Sequence, residues 1–256
     1  MGIITTWTLC KLCLHPQNKL ILHHELNHRL PEKNLWFFFI IATMQLQLQQ
    51  LLPVYFEESR KANSDIWGKD LAFSRGEMIK IVAPSGSGKT SLMHFMYGMR
   101  KEYTGVVKYG DKNISQFNAE DFALHRSNHI SIVFQDLRLF PEQTVQENLE
   151  IKRQLNPYHS KEKIQYMASR LGIGNKLQSK ARICSYGEQQ RVAIIRSLLQ
   201  PFDFLLLDEP FSHLDNENSQ KAMELMLEES RERNACIVFA DLERIDYFPF
   251  TRLFHL

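Results

Sequence analysis

Ala83-Pro-Ser-Gly-Ser-Gly-Lys-Thr90 follows a short apolar stretch, Ile79-Lys-Ile-Val-Ala83, and opens a helical pattern that runs from about Lys89 to Arg100. Strand, glycine-rich turn and helix, in that order, form the setting in which Gly-Lys-Thr holds phosphate. Gly86 and Gly88 let the backbone wrap closely. The amides from Gly86 to Thr90 can donate to phosphate oxygens at the helix N-terminus. Lys89 can reach the β- and γ-phosphates, and the Thr90 hydroxyl can ligate Mg²⁺. Ala83, Pro84, Ser85, Gly86, Ser87, Gly88, Lys89 and Thr90 are therefore the expected nucleotide-binding segment. The strict pattern opens on glycine, where this chain has Ala83. A structural Gly/Ser turn is the plainer alternative, and the flanking elements and the Lys-Thr pair speak against it.

Outward from the loop, strand and helix patterns alternate. Val106 to Tyr109 and His129 to Phe134 read as strands, with a turn at Gly110-Asp111. From about Leu137 to Ser185 no strand signal appears, and helical spacing covers Val145 to Leu155 and Lys161 to Leu171. A further helix follows from Val192 to Leu199. Phe204-Leu-Leu-Leu207 is wholly apolar, as a buried parallel strand requires. A charged amphipathic helix covers about Asn218 to Arg233. Cys236 to Phe239 and Arg252 to Phe254 close the pattern as strands. Upstream, Gln45 to Leu52 alternates polar and apolar residues in strand fashion. The order predicts an α/β fold with a mainly parallel sheet and an inserted helical subdomain.

The chain has 256 residues, which at roughly 150 per domain is one large domain or two small ones. Apolar residues are 44% and charged residues 23%, a globular balance that excludes disorder over most of the length. Lys plus Arg is 31 against 29 Asp plus Glu, a net charge of +2, so no bulk field favours nucleic acid or anionic lipid. Four cysteines make no disulfide framework. No apolar run reaches the ~20 residues that span a bilayer.

Residues 1–43 differ from the rest. Cys10-x-x-Cys13 and His24-x-x-x-His28 suggest zinc, but ten residues intervene, short of the finger spacing. Leu35 to Ala42 is apolar, yet eight residues are too few to span and no small-residue cleavage site follows. The reading adopted is a poorly ordered or non-native extension, with the folded unit starting at Met44.

Two further segments carry chemistry. Phe204-Leu-Leu-Leu-Asp-Glu-Pro210 puts two carboxylates at the carboxyl edge of a sheet, where ligands bind in such folds. Asp208 can hold a Mg²⁺ shell, and Glu209 can orient or deprotonate an attacking water. In Cys184-Ser-Tyr-Gly-Glu-Gln-Gln-Arg191, Ser185 is a fair N-cap with Glu188 three residues on, as in a capping box. The plain reading is a helix start; the sharper one is a second phosphate site at a positive helix end.

Over residues 44–256 the chain resembles the ATP-binding subunit of an ABC transporter. The resemblance rests on an ordered set: the loop 83–90, Gln135 as the Q-loop glutamine, Ser185-Tyr186-Gly187-Glu188-Gln189 as the signature, Asp208-Glu209 as the Walker B pair, and Ser212-His-Leu-Asp215 as the D-loop. Phe134 to Asn148 looks most like the branch of lipoprotein-releasing, macrolide-exporting and cell-division complexes. The resemblance implies a P-loop NTPase core (44–134 and 191–256), a helical subdomain at about 135–190 and a small antiparallel β part. It implies ATP and Mg²⁺, with Thr90, Gln135 and Asp208 toward the metal and Glu209, Gln135 and Lys89 as catalytic residues. It also implies a second nucleotide-binding subunit, most simply a homodimer, whose signature meets each ATP. A membrane-spanning permease would be the further partner, with this chain peripheral at the cytoplasmic face of the inner membrane and no nucleic acid involved. Tyr55 or Phe56 is the expected adenine-stacking aromatic.

Three departures stand out. Ala83 replaces a loop glycine, Tyr186 replaces the first signature glycine, and Ala240 stands where the family has its switch histidine. Losing one such transition-state donor costs on the order of 100- to 1,000-fold, so the expectation is ATP binding with slow turnover. A nucleotide-gated scaffold is the alternative. DNA-repair or chromosome-structuring ATPases of the same class carry long coiled-coil insertions; here Lys89 and Ser185 are 96 positions apart (185 − 89) without sustained heptads. A translation factor would carry two tandem cassettes.

Overall fold

The computed structural model describes residues 44–55, 63–242 and 247–256. The cysteine, histidine and apolar features of residues 1–43, and Phe56, lie outside the described residues. The chain divides into Met1–Thr43 and Met44–Leu256, and the second unit is the one described below.

Its elements are β1 (Gln45–Pro53), β2 (Asp70–Ser74), β3 (Met78–Val82), α1 (Lys89–Met96), β4 (Tyr103–Tyr109), β5 (Lys112–Asn113), α2 (Ala119–Asn128), β6 (Ile130–Val133), α3 (Val145–Leu155), α4 (Lys161–Arg170), α5 (Tyr186–Leu198), β7 (Phe204–Asp208), α6 (Asn216–Arg233), β8 (Cys236–Asp241) and β9 (Arg252–His255). They form two sheets. The first is parallel, in the order β6-β7-β8-β3-β9; the second is antiparallel, in the order β2-β1-β4-β5. Helices alone, with short 3₁₀ turns, fill the stretch between β6 and β7.

The apolar run Phe204–Leu207 does what its composition requires. It lies between β6 and β8, and every residue of β7 is buried. Strand side chains alternate between faces, and each face feeds a separate core. Phe204 and Leu206 join Val238, Ala240, Ile79 and Ile81 in a core with the antiparallel sheet and α1. Leu205 and Leu207 join Ile237 and Phe239 in a core with α3, α4, α5 and α6. The parallel sheet is thus a wall covered on both faces, which leaves polar chemistry to its ends.

Several boundaries differ from the sequence reading for local reasons. The first helix ends at Met96 rather than near Arg100, because Tyr97 caps it and Gly98 follows. The fifth helix starts at Tyr186, not Val192. Ser185 caps it, accepting from the Glu188 amide while the Glu188 carboxylate accepts from the Ser185 amide. The sixth starts at Asn216 because Asp215 accepts from the Asn218 amide. Two elements carried no apolar pattern to read. In α2 only His125 is buried, and an Asn118–Asp121 capping box sets its start. In β2 only Phe73 is buried, and its pairing with β1 holds it.

One charged cluster ties helices together in the interior. Glu229 of α6 is 1% exposed and takes His159 Nε2 at 2.7 Å, Lys163 Nζ at 2.9 Å and Arg233 Nη1 at 2.7 Å. Burial alone would push its carboxyl up, but hydrogen bonds from His159, Arg233 and Lys163 outweigh it and hold the pKa at about 2. Removing one partner of such a cluster strands buried charge, so Glu229→Gln should lower unfolding stability by about 3 kcal/mol in urea titration. The folded pKa lies below the unfolded value. This contribution is therefore complete above about pH 4.3 and is lost as pH falls toward 2.

Candidate active site

Loop 83–90 runs from the end of β3 into α1 with Ala83 buried, Pro84, Ser85 and Gly86 exposed, and Lys89 buried. Gly88 has φ +103, a backbone that favours glycine, and a Cβ there would crowd the Trp67 ring at 3.1 Å. The methyl of Ala83 is directed into protein and is 1% exposed, so it leaves the loop mouth clear.

Side chains from three segments converge beneath this loop. Lys89 Nζ donates to the carbonyls of Ala83 at 2.9 Å and Pro84 at 3.0 Å, and pairs with Glu209 Oε1 at 3.2 Å. The Thr90 hydroxyl donates to Gln135 Oε1 at 3.1 Å, and Gln135 Nε2 donates to Glu209 Oε2 at 3.2 Å. The circuit Lys89–Glu209–Gln135–Thr90 thus joins three motifs that lie up to 120 positions apart (209 − 89).

Asp208 ends β7 with 0% exposure, and neither carboxylate oxygen has a hydrogen-bond partner of good geometry. Burial pushes its pKa up to about 6, with the neighbouring Thr90 hydroxyl opposing and Glu209 reinforcing the rise. A buried carboxylate left this way is a cation-seeking group. Among the described residues no three His, Cys, Asp or Glu side chains gather around a metal position. A cation here would draw on one carboxylate, a hydroxyl, an amide oxygen and the nucleotide. That donor set suits Mg²⁺, which binds through one or two carboxylates plus phosphates.

Glu209 has φ +48, the left-handed region, which a non-glycine residue keeps only where its surroundings over-determine it. Its amide donates to the Ala240 carbonyl at 2.9 Å. Ala240 pairs with Asp208 across β7 and β8, and its side chain is fully buried in the core beside the antiparallel sheet. The next residue, Asp241, has its pKa raised by burial.

The bonds that gather the loop, Gln135 and Glu209 do not extend to the segment Ser185, Tyr186, Gly187, Glu188 and Gln189. That segment forms the cap and first turn of α5 and leans instead on residues 213 and 214. A Cβ on Gly187 would lie 2.9 Å from the His213 carbonyl, and the Tyr186 ring stacks on His213 with centroids 4.1 Å apart. Asp215 sits at the surface as the cap of α6. Tyr55 is exposed after β1 and available to a ligand. Sequence reading overlooked Gln190, a buried amide in α5 that bonds the Glu209 turn.

Residues 68–212 match the family described as ABC transporter. The chain belongs to the ABC transporter family, as an ATP-binding cassette. It is an ATP-binding subunit of the ATPase class that works in transporters. A lipoprotein-releasing system ATP-binding protein, LolD, of Legionella pneumophila (strain Lens) is 35% identical over 174 residues, covering 67% of this chain and 77% of that protein. The ABC transporter ATP-binding protein YtrE of Bacillus subtilis (strain 168) is 33% identical over 171 residues, covering 66% and 74%. The macrolide export ATP-binding/permease protein MacB of Nitrosomonas europaea is 34% identical over 164 residues, 63% of this chain but 25% of that much longer protein. In fold, the dimeric post-hydrolysis structure of the ATP-binding cassette MJ0796 with ADP and Pi superposes with TM-score 0.71 at 22% identity, covering 82% of this chain and 94% of that one. The antiparallel sheet and the helical stretch before β7 accord with the cassette fold expected from the sequence. No helix among the described residues is long and apolar enough to cross a membrane.

Proposed function

We propose that this chain dimerises around ATP, hydrolyses it slowly, and drives a separate membrane-spanning permease at the cytoplasmic face of the inner membrane. The supporting observation is the Lys89–Glu209–Gln135–Thr90 circuit under the phosphate loop. The LolD, YtrE and MacB relatives favour the lipoprotein-releasing and macrolide-exporting branch. In this reading residues 44–134 and 191–256 are the core and about 135–190 the helical subdomain that meets the permease.

Each residue then has a task. The amides of 86–90 and Lys89 hold the phosphates, which compete with the loop carbonyls for the ammonium. Thr90, Gln135 and Asp208 would hold Mg²⁺. When bound, the ion neutralises charge on the phosphate oxygens. Glu209, drawn away from Lys89 by that competition, orients and deprotonates the attacking water, with Gln135 keeping its carboxylate in place. Ser185, Tyr186, Gly187, Glu188 and Gln189 face the partner subunit's nucleotide, and Asp215 braces the turn beside them. Ala240 offers no imidazole to the water or the γ-phosphate, and turnover is slow for that reason.

Dimerisation is the direct test. In size-exclusion chromatography with light scattering, the purified chain should double its mass with ATP and Mg²⁺ and remain monomeric with ADP. A chain that stays monomeric with ATP contradicts the proposal. The exposed Tyr186–His213 stack on the signature favours one second reading, a nucleotide-gated scaffold. An ATP-dependent dimer that releases no phosphate would select it.

A further inference from the structure

Gln190 lies in α5 one residue past the signature segment, and 1% of it is exposed. Its two amide ends face different partners. Nε2 donates to the Glu209 carbonyl at 3.3 Å and to the Ser212 hydroxyl at 3.3 Å. Oε1 accepts from the His213 amide at 3.0 Å. A buried amide needs partners at both ends, and this one has them. One side chain thereby ties the helix that opens at Ser185 to the turn that carries Glu209 and to residues 212–213.

The tie matters because of the backbone it meets. Glu209 is held in the left-handed region by bonds at both of its backbone groups. Its amide donates to Ala240, and its carbonyl accepts from Gln190 and, at 3.4 Å, from the Ser212 amide. The Ala240 and Ser212 bonds are made by backbone. Gln190 is the side chain in this set, and it comes from α5. Relaxation of φ at Glu209 would swing the carboxylate away from Lys89 and Gln135, which meet its two oxygens at 3.2 Å each.

We infer that Gln190 is a positioning residue for hydrolysis: it fixes the backbone of Glu209, and it does so from the helix whose first turn carries the signature. The inference rests on the reading of Glu209 as the base. A consequence is that whatever engages the first turn of α5 is felt at the carboxylate of the same subunit.

Gln190→Met keeps length and apolar volume and removes all three hydrogen bonds. With the full chain, single-turnover hydrolysis of radiolabelled ATP should slow by about 10- to 100-fold, the scale of a base misplaced by about an ångström. KM and the Kd for ATP should stay within about twofold, and thermal unfolding should still be cooperative. In a Glu209→Gln background the same change should add little, because the group it positions is already lost. If Gln190→Met does not fold, Gln190→Glu replaces it. That variant can still accept from the His213 amide but cannot donate to the Glu209 carbonyl, so kcat should fall likewise. A kcat within about twofold of the unmodified chain overturns the inference. So does an equal loss of ATP affinity, or full additivity with Glu209→Gln. Glu209→Gln hydrolysing normally overturns the base assignment and this inference with it. Glu209→Gln inactive beside an active Gln190→Met overturns the inference alone.

Discussion

Glu209→Gln should cut phosphate release by about 10²- to 10⁴-fold, the usual worth of a positioned general base, and should leave an ATP-bound dimer that persists after ATP is removed from solution. The substitution preserves size and the acceptor oxygen toward Gln135. What it removes is basicity and the ion pair with Lys89, now 3.2 Å long. Lys89 is not stranded, because the Ala83 and Pro84 carbonyls still accept from it. Binding should therefore survive while chemistry stops. Pulse-labelled ATP followed through a desalting column reads both quantities in one sample. Loss of ATP binding together with hydrolysis would assign Glu209 a role in holding the loop.

Ala240→His is expected to act in the opposite direction, raising turnover by on the order of 100- to 1,000-fold, the scale of one restored transition-state donor. Position 240 is beside the reaction: its carbonyl takes the Glu209 amide, and it pairs with Asp208 across the sheet. The native methyl, however, is fully buried in the core with Ile79, Ile81 and Val238. A ring there must leave the core or overpack it, at a cost of about 1–3 kcal/mol. The variant should thus be faster and less stable at once. Steady-state phosphate release and a urea titration of the same preparation test the two signs. A variant that is less stable with no gain in rate would place the shortfall elsewhere, with Tyr186 the next candidate.

The legible parts of this protein were those where chemistry dictates residue type. The Gly-Lys-Thr loop, the apolar strand ending in Asp208-Glu209, and the Ser185–Glu188 cap could be read directly because backbone conformation, burial and end-capping each demand particular residues. Two elements escaped because tertiary pairing sustains them: α2 buries only His125, and β2 buries only Phe73. The Ser185 cap itself implied that α5 begins at Tyr186, six residues earlier than its apolar pattern suggested. The site's wiring was the least visible. Gln190 is a polar residue in a helical run, and nothing in its neighbours announces bonds to positions 19, 22 and 23 residues ahead. Gly187 could be read as close approach to phosphate, yet within this chain it meets the His213 carbonyl. The Lys89–Glu209–Gln135 circuit likewise exists only once β3, β6 and β7 share one sheet edge.

In the proposed function this ABC cassette binds ATP competently and turns it over slowly for want of an imidazole at position 240. The most direct measurement is steady-state phosphate release at saturating ATP and Mg²⁺ by the unmodified chain, Ala240→His and Glu209→Gln, side by side. The expected order is Ala240→His far above the unmodified chain, and the unmodified chain far above Glu209→Gln. An unmodified chain that already matches Ala240→His would contradict the claim.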